Sequence, residues 1–257
     1  MRKAGEKLLG LFRKEDPNRK PELNDALQDF LREQRLNQNK SNSIGAGANG
    51  VVYESDTPNK VMKEIFTDRG GQTVKEADLQ DVAAQMGFAP RVAGVETYRG
   101  NVSNRIEMDD IRDNFESHGR GAREFPQGMD AVRVNQQLGQ MALKGVRLED
   151  RHNGNVVYNK MTGRPMQLDF GIGGRVAGED QVQALASATA DGFTAVGLAD
   201  VSQIYKATIY DLLAGGDVAE AMDVAKQGFS RLQKIKAPLE GVTPPHLKPP
   251  SPAPSWL

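Results

Sequence analysis

At 257 residues with a hydrophobic fraction of 38 %, the chain is long enough for one large domain or for two lobes around a cleft, with no room for a further catalytic domain. A formal net charge of -1 excludes the global basic field that marks a nucleic-acid binder. Cysteine is absent, which excludes disulfides, thiolate nucleophiles and cysteine-based zinc sites together and leaves the fold to stand on packing.

Residues 1–40 read as an N-terminal extension. The basic start carries a short apolar cluster, Leu8-Leu9-Gly10-Leu11-Phe12, shorter than the core of a secretory signal and followed by no small-residue cleavage site, so a processed signal is not expected. It reads either as a peripheral membrane or partner-binding helix or as a frayed amphipathic tail. No apolar run reaches the roughly 18 residues of a transmembrane helix. Between Pro21 and Asn37, Leu23, Ala26, Leu27, Phe30 and Leu31 recur at helical spacing, which predicts an amphipathic helix followed by a polar linker up to Ser43.

Residues 41–109 read as a small sheet with one helix. Gly45, Gly47 and Gly50 stand in a G-x-G-x-x-G-x-V frame that ends in Val52. Glycines there let the backbone approach phosphate oxygens and offer its N–H groups to them. A dinucleotide-binding βαβ unit needs a helix next, whereas Val51-Val52-Tyr53-Glu54 reads as a strand and Asp56-Thr57-Pro58-Asn59 as a turn, so a hairpin is expected. Lys60–Phe66 is the next strand, with Lys63 able to point inward. Val74–Met86 reads as a helix with Glu76 in its first turn, able to pair with Lys63. Two strand-like runs follow between Arg91 and Met108, and Glu107–Asp109 is the expected hinge beside the base of a bound nucleotide.

Residues 110–236 read as mostly helical. Asp110–Gly128 is an irregular connector, and Val132, Val134, Leu138, Met141 and Ala142 suit a helix from Met129 to Leu143. Asp150 and Asn155 then form a D-x-x-x-x-N frame, with Asp169-Phe170-Gly171 downstream. Phosphoryl transfer needs little covalent chemistry: an Asp near the nucleophile, an Asn and an Asp on the metals, and a Lys on the phosphates suffice. Asp180–Leu213 and Asp217–Lys236 are Ala-rich and helix-like, separated by Gly215-Gly216. Residues 237–257 are proline-rich and cannot form a helix; they read as a trailing tail or as a proline-rich ligand.

In these motifs and in their order the chain resembles the protein-kinase-like superfamily, over roughly Ile44 to Gly171. The resemblance implies an α+β, bilobal fold with a small antiparallel-sheet N-lobe, a reduced helical C-lobe, and ATP with Mg²⁺ in the cleft. Carried over by position, Gly45, Gly47, Gly50 and Val52 would cover the nucleotide, and Glu107 and Met108 would meet its base. Lys63 would hold the α- and β-phosphates with Glu76 orienting it, Asp150 would orient the acceptor hydroxyl, and Asn155 and Asp169 would bind the metal. Leu148-Glu149 stand before Asp150 where protein kinases carry His-Arg, and no A-P-E tripeptide follows, so control by activation-loop phosphorylation is not expected and the peptide platform looks cut down. Asp150-Arg151-His152-Asn153-Gly154-Asn155 is similar to the catalytic loop of phosphatidylinositol 3- and 4-kinases, which makes His152 either a second acid/base or γ-phosphate contact, or a structural hydrogen-bonding residue.

The shortened segment also resembles the minimal kinases that bacterial pathogens inject into host cells. The expectation is transfer of the ATP γ-phosphate to Ser or Thr of a protein substrate, in the cytoplasm or, for a secreted effector, in a host cell. A lipid or small-molecule acceptor, AMP transfer and a non-catalytic interaction module are the alternatives; the last usually loses the Lys or a metal ligand, and neither is lost here.

Overall fold

The computed structural model describes residues 43–46, 50–66, 71–98, 101–117 and 125–235. The helix expected over 21–37, Gly47 and the proline-rich tail lie outside these residues. The described part is mixed α+β: a five-stranded antiparallel sheet with one helix, then four helices with one two-stranded and one three-stranded sheet.

The first two strands, β1 (Gly45–Ala46) and β2 (Gly50–Glu54), pair with Gly45 opposite Val52. β2 runs antiparallel to β3 (Lys60–Ile65), and Asn59, at φ 60°, makes the left-handed residue of their turn. Helix α1 (Gln72–Gln85) leads to β4 (Val92–Tyr98) and β5 (Asn101–Asp109), and the sheet order is β1-β2-β3-β5-β4. The inward residues Val61, Ile65, Ile106 and Met108 pack with Ala77 of α1. This helix has weak apolar periodicity for a physical reason: its buried face carries Thr73, Glu76 and Gln80 beside Ala77, Leu79 and Ala83.

The described part of the connector after β5 is not wholly irregular. It contains the short strand β6 (Phe115–Glu116), which joins a sheet with β8 (Val156–Asn159) and β9 (Pro165–Gln167) in the order β6-β8-β9. Helix α2 (Gly128–Leu143) precedes β7 (Val146–Leu148), which pairs with β10 (Gly173–Arg175). The long Ala-rich stretch is two helices, α3 (Gly178–Ala195) and α4 (Ala199–Ala214), broken where Gly197 takes φ 80°. Helix α5 (Val218–Gln233) closes the described chain.

Two further cores hold these parts together. Phe170, 1 % exposed, packs with Leu79 of α1, Leu138 and Met141 of α2, Leu148 of β7 and Val156 of β8. The second core lies among α2, α3, α4 and α5, where bulky side chains cover glycines at close approach. A Cβ built on Gly139 would fall 2.1 Å from the Phe229 ring, and one on Gly192 would fall 2.6 Å from Leu232.

Gly139→Ala therefore forces the buried Phe229 ring to move, and overpacking of this kind costs about 1–3 kcal/mol, against at most about 1 kcal/mol recovered in helix propensity. The denaturant midpoint is expected to fall. Gly174→Ala, whose added Cβ meets nothing within 4 Å, is the neutral control; equal midpoints for the two variants would contradict this packing.

Candidate active site

Strand parity builds the first half of the site. Val61, Lys63 and Ile65 share the β3 face that α1 covers, and Lys63 is 8 % exposed between Val52 of β2 and Ile106 of β5. An ammonium so buried requires anionic partners. Its Nζ donates to the Glu76 carboxylate and, at 2.9 Å, to Asp169 Oδ1. Glu76, 2 % exposed, also accepts the Phe170 N–H.

Burial alone would lower the Lys63 pKa, but Glu76 and Asp169 outweigh it and the net shift is upward. Asp169 is raised by burial and lowered by Lys63 and by the Gly171 N–H, which it accepts at 3.0 Å; the lowering wins. Glu76 moves upward, because burial and the nearby Asp169 charge exceed the pull of Lys63. Two carboxylates thus compete for one ammonium. Gly171 is tight against both, since a Cβ there would sit 3.2 Å from Asp169 Oδ1 and 3.3 Å from Glu76 Oε2.

The second half is the turn after β7. Glu149 N–H bonds Ile172 O at 3.0 Å, which ties this turn to the stretch after Asp169. His152 caps the 3-10 turn Asn153–Asn155 through Nδ1, which accepts the Gly154 N–H at 3.0 Å, while its Nε2 lies 3.3 Å from Asp150 Oδ1. Asn155 Nδ2 donates to the Asp150 carbonyl at 3.1 Å. The β8–β9 hairpin returns the chain so that Leu168 N–H bonds Asn155 O at 2.9 Å, which sets Asp169 beside Asn155. Arg151 is anchored to Asp191 of α3 at 3.2 Å.

A cavity of about 490 Å³ opens where these halves meet, a size suited to a small-molecule ligand. Ile44, Val52 and Val61 face Val157 and Leu168 across it, and Lys63, Asn155 and Asp169 stand together at its polar end. Gly45 and Gly50 line it as well. Gly50 is required by close approach, since a Cβ would lie 2.5 Å from the Glu64 carbonyl oxygen. Asp150 and His152 lie outside the cavity wall, beside Asn155.

Met108 lines the cavity, whereas Glu107 does not. Glu107 pairs with Met62 on one side and Gly94 on the other, and its side chain accepts from Ser55 on the opposite face of the sheet. Past Met108 the cavity rim continues through Asp109–Ile111, and the Lys60–Asp109 pair prolongs the β3–β5 ladder to it. Asp109 falls within the hinge expected at Glu107–Asp109, and Asp110–Arg112 extend the rim into the connector. Arg112 clamps it, with Nη2 at 2.6 Å from Asp110 Oδ2 and 3.1 Å from Glu54 Oε1. Its sequence signal is only a charge-rich stretch.

The donor set fits a hard cation. Asn155 spends Nδ2 on Asp150, which leaves Oδ1, and Asp169 spends Oδ1 on Lys63 and Gly171, which leaves Oδ2. Mg²⁺ commonly takes one or two protein oxygens and completes its shell with phosphate and water. No cluster of three or more His, Asp or Glu that could hold a metal occurs among the described residues. No protein-family model matches this chain, and no curated protein matches it.

Lys63 keeps Asp169 when Glu76 is lost, but the Phe170 N–H loses its acceptor, and an unpaired buried donor costs about 1–3 kcal/mol. Glu76→Ala is accordingly expected to lower unfolding stability by about 2 kcal/mol. Glu76→Gln, which keeps an acceptor for Lys63, should lose less. Urea melts of both variants check this, and an unchanged Glu76→Ala midpoint would contradict the pairing.

Proposed function

We propose that this chain is an ATP-dependent phosphotransferase with a bilobal, protein-kinase-like arrangement, acting on a hydroxyl of Ser or Thr in a protein. The observation that carries the reading is the convergence of Lys63, Glu76, Asn155 and Asp169 at one end of a cavity with apolar walls, with Asp150 adjacent. The sheet with α1 serves as the small lobe and the helices as the large one.

In this reading the adenine lies between Val52 and Val61 on one side and Leu168 on the other, with its edge toward the main chain of Asp109–Ile111. Lys63 turns from Asp169 to the α- and β-phosphates while Glu76 keeps it in line. Asn155 and Asp169 supply oxygens for Mg²⁺, which when bound neutralises charge on the β- and γ-phosphates. Asp150, at the mouth, orients the acceptor hydroxyl. Pre-set positioning and electrostatics of this kind are what phosphoryl transfer asks of a protein.

One observation favours a second acceptor class. Only residues 170–177 separate Asp169 from α3, and β10 occupies three of them, which leaves little chain for a peptide platform. A lipid or small-molecule hydroxyl suits that opening.

Purified protein with Mg²⁺ and γ-labelled ATP is expected to label itself or a protein pool, and Lys63→Ala and Asp169→Ala are expected to reduce labelling to background. Labelling of both variants at the wild-type level would refute the assignment. A parallel incubation with phosphoinositide vesicles tells lipid from protein acceptors, and intact mass tells phosphate from AMP.

A further inference from the structure

The His152 ring is held at Nδ1 and stands close to a carboxylate at Nε2. Nδ1 accepts the Gly154 N–H at 3.0 Å, and a ring nitrogen that accepts carries no proton. In the neutral imidazole the proton then sits on Nε2, which lies 3.3 Å from Asp150 Oδ1. A proton on Nδ1 would set donor against donor at Gly154. The protonated nitrogen thus lies 3.3 Å from the carboxylate, while the basic nitrogen is turned into the turn it caps.

We infer that His152 is a positioning residue: its Nε2–H holds the Asp150 carboxylate in the orientation that receives the acceptor hydroxyl, and His152 itself takes no proton. The inference rests on the phosphotransfer reading and assigns roles within that site. As the hydroxyl oxygen forms its bond to the γ-phosphorus, its proton passes to Asp150. The bond from the γ-phosphorus to the β–γ bridging oxygen breaks, and its electron pair leaves with the nucleoside diphosphate. The Asp150 main chain is held as well, by Asn155 Nδ2 on its carbonyl, and the next residue, Arg151, is anchored to Asp191.

The two ring nitrogens do separate work, so different substitutions separate them. His152→Gln keeps a donor near the Nε2 position and loses the Gly154 acceptor. His152→Asn keeps a short acceptor for the Gly154 N–H, as in an Asx turn, and loses the donor. His152→Ala loses both. Misplacing a reacting group costs about 100-fold, so Ala and Asn are each expected to lower kcat about 100-fold with little change in the KM for ATP, while Gln recovers to within about tenfold of wild type.

The chain has three histidines, and long-range ¹⁵N spectra assigned with His152→Gln report the tautomer directly. His152 is expected as the Nε2–H form. An Nδ1–H form, or equal losses for Gln and Ala in a protein whose wild type transfers phosphate, would overturn the inference, because a lost general base is not restored by an amide. Rescue by Asn and not by Gln would overturn it as well and leave only a turn cap. Absence of transfer by the wild type would instead strike the phosphotransfer reading, and the tautomer alone would then decide whether the ring is held as described.

Discussion

The buried ammonium of Lys63 constrains the rest of the molecule. Removing such a charge from water costs several kcal/mol even after relaxation, and two carboxylates from distant segments offset it. Glu76 reaches Lys63 only if α1 packs close on the sheet, and Asp169 reaches it only if the stretch after β9 comes up beneath that helix. The pairing therefore sets how the sheet stands on the helical part. Phe170 reinforces the same arrangement, since its ring is buried between α1 and α2 and its N–H bonds Glu76. A polar contact and an apolar one, on adjacent residues, impose a single geometry.

This constraint explains why α1 is an unusual helix. Its inward face is charged and polar because it must meet Lys63 at one point and main-chain carbonyls at another. Gln80, fully buried, donates to Pro90 O at 2.9 Å and lies against Met108 Sδ at 3.4 Å, behind the cavity wall. Buried polar groups of this kind are costly when unpaired and specific when paired. The helix gives up apolar burial for a defined position, and its stability comes from what it touches.

How legible the molecule is in its sequence follows from the range of each interaction. The β2–β3 hairpin is local, set by Gly50 and the turn at Asn59, and the spacing of Asp150 and Asn155 is likewise local. Parity is less forgiving. A one-residue offset moves a side chain to the other face, so Met108 lines the cavity while its neighbour Glu107 bonds Ser55 on the far side. The rim at Asp109–Arg112 is set by partners in β2 and β3, Glu54 and Lys60, and interactions of that separation leave no periodicity to read. The break between α3 and α4 falls at Gly197, which is left-handed, whereas Gly192 in the same Ala-rich stretch stays helical, so the sequence alone does not say which glycine ends the helix.

The turn from Asp150 to Asn155 shows how so short a segment can be rigid. Three of its polar side chains are used toward the chain itself before any ligand arrives: Arg151 on Asp191, His152 on Gly154, and Asn155 on the Asp150 carbonyl. These bonds leave one oxygen of Asn155 to face outward beside the Asp150 carboxylate, whose Oδ1 lies 3.3 Å from His152 Nε2. A loop that spends its own donors in this way needs no reorganisation when charge develops, and reorganisation is the largest cost such a site can avoid. The spacing between Asp150 and Asn155 is therefore a closed circuit of hydrogen bonds: one residue more would pull Asn155 away from the Asp150 carbonyl and one fewer would remove the 3-10 turn that His152 caps.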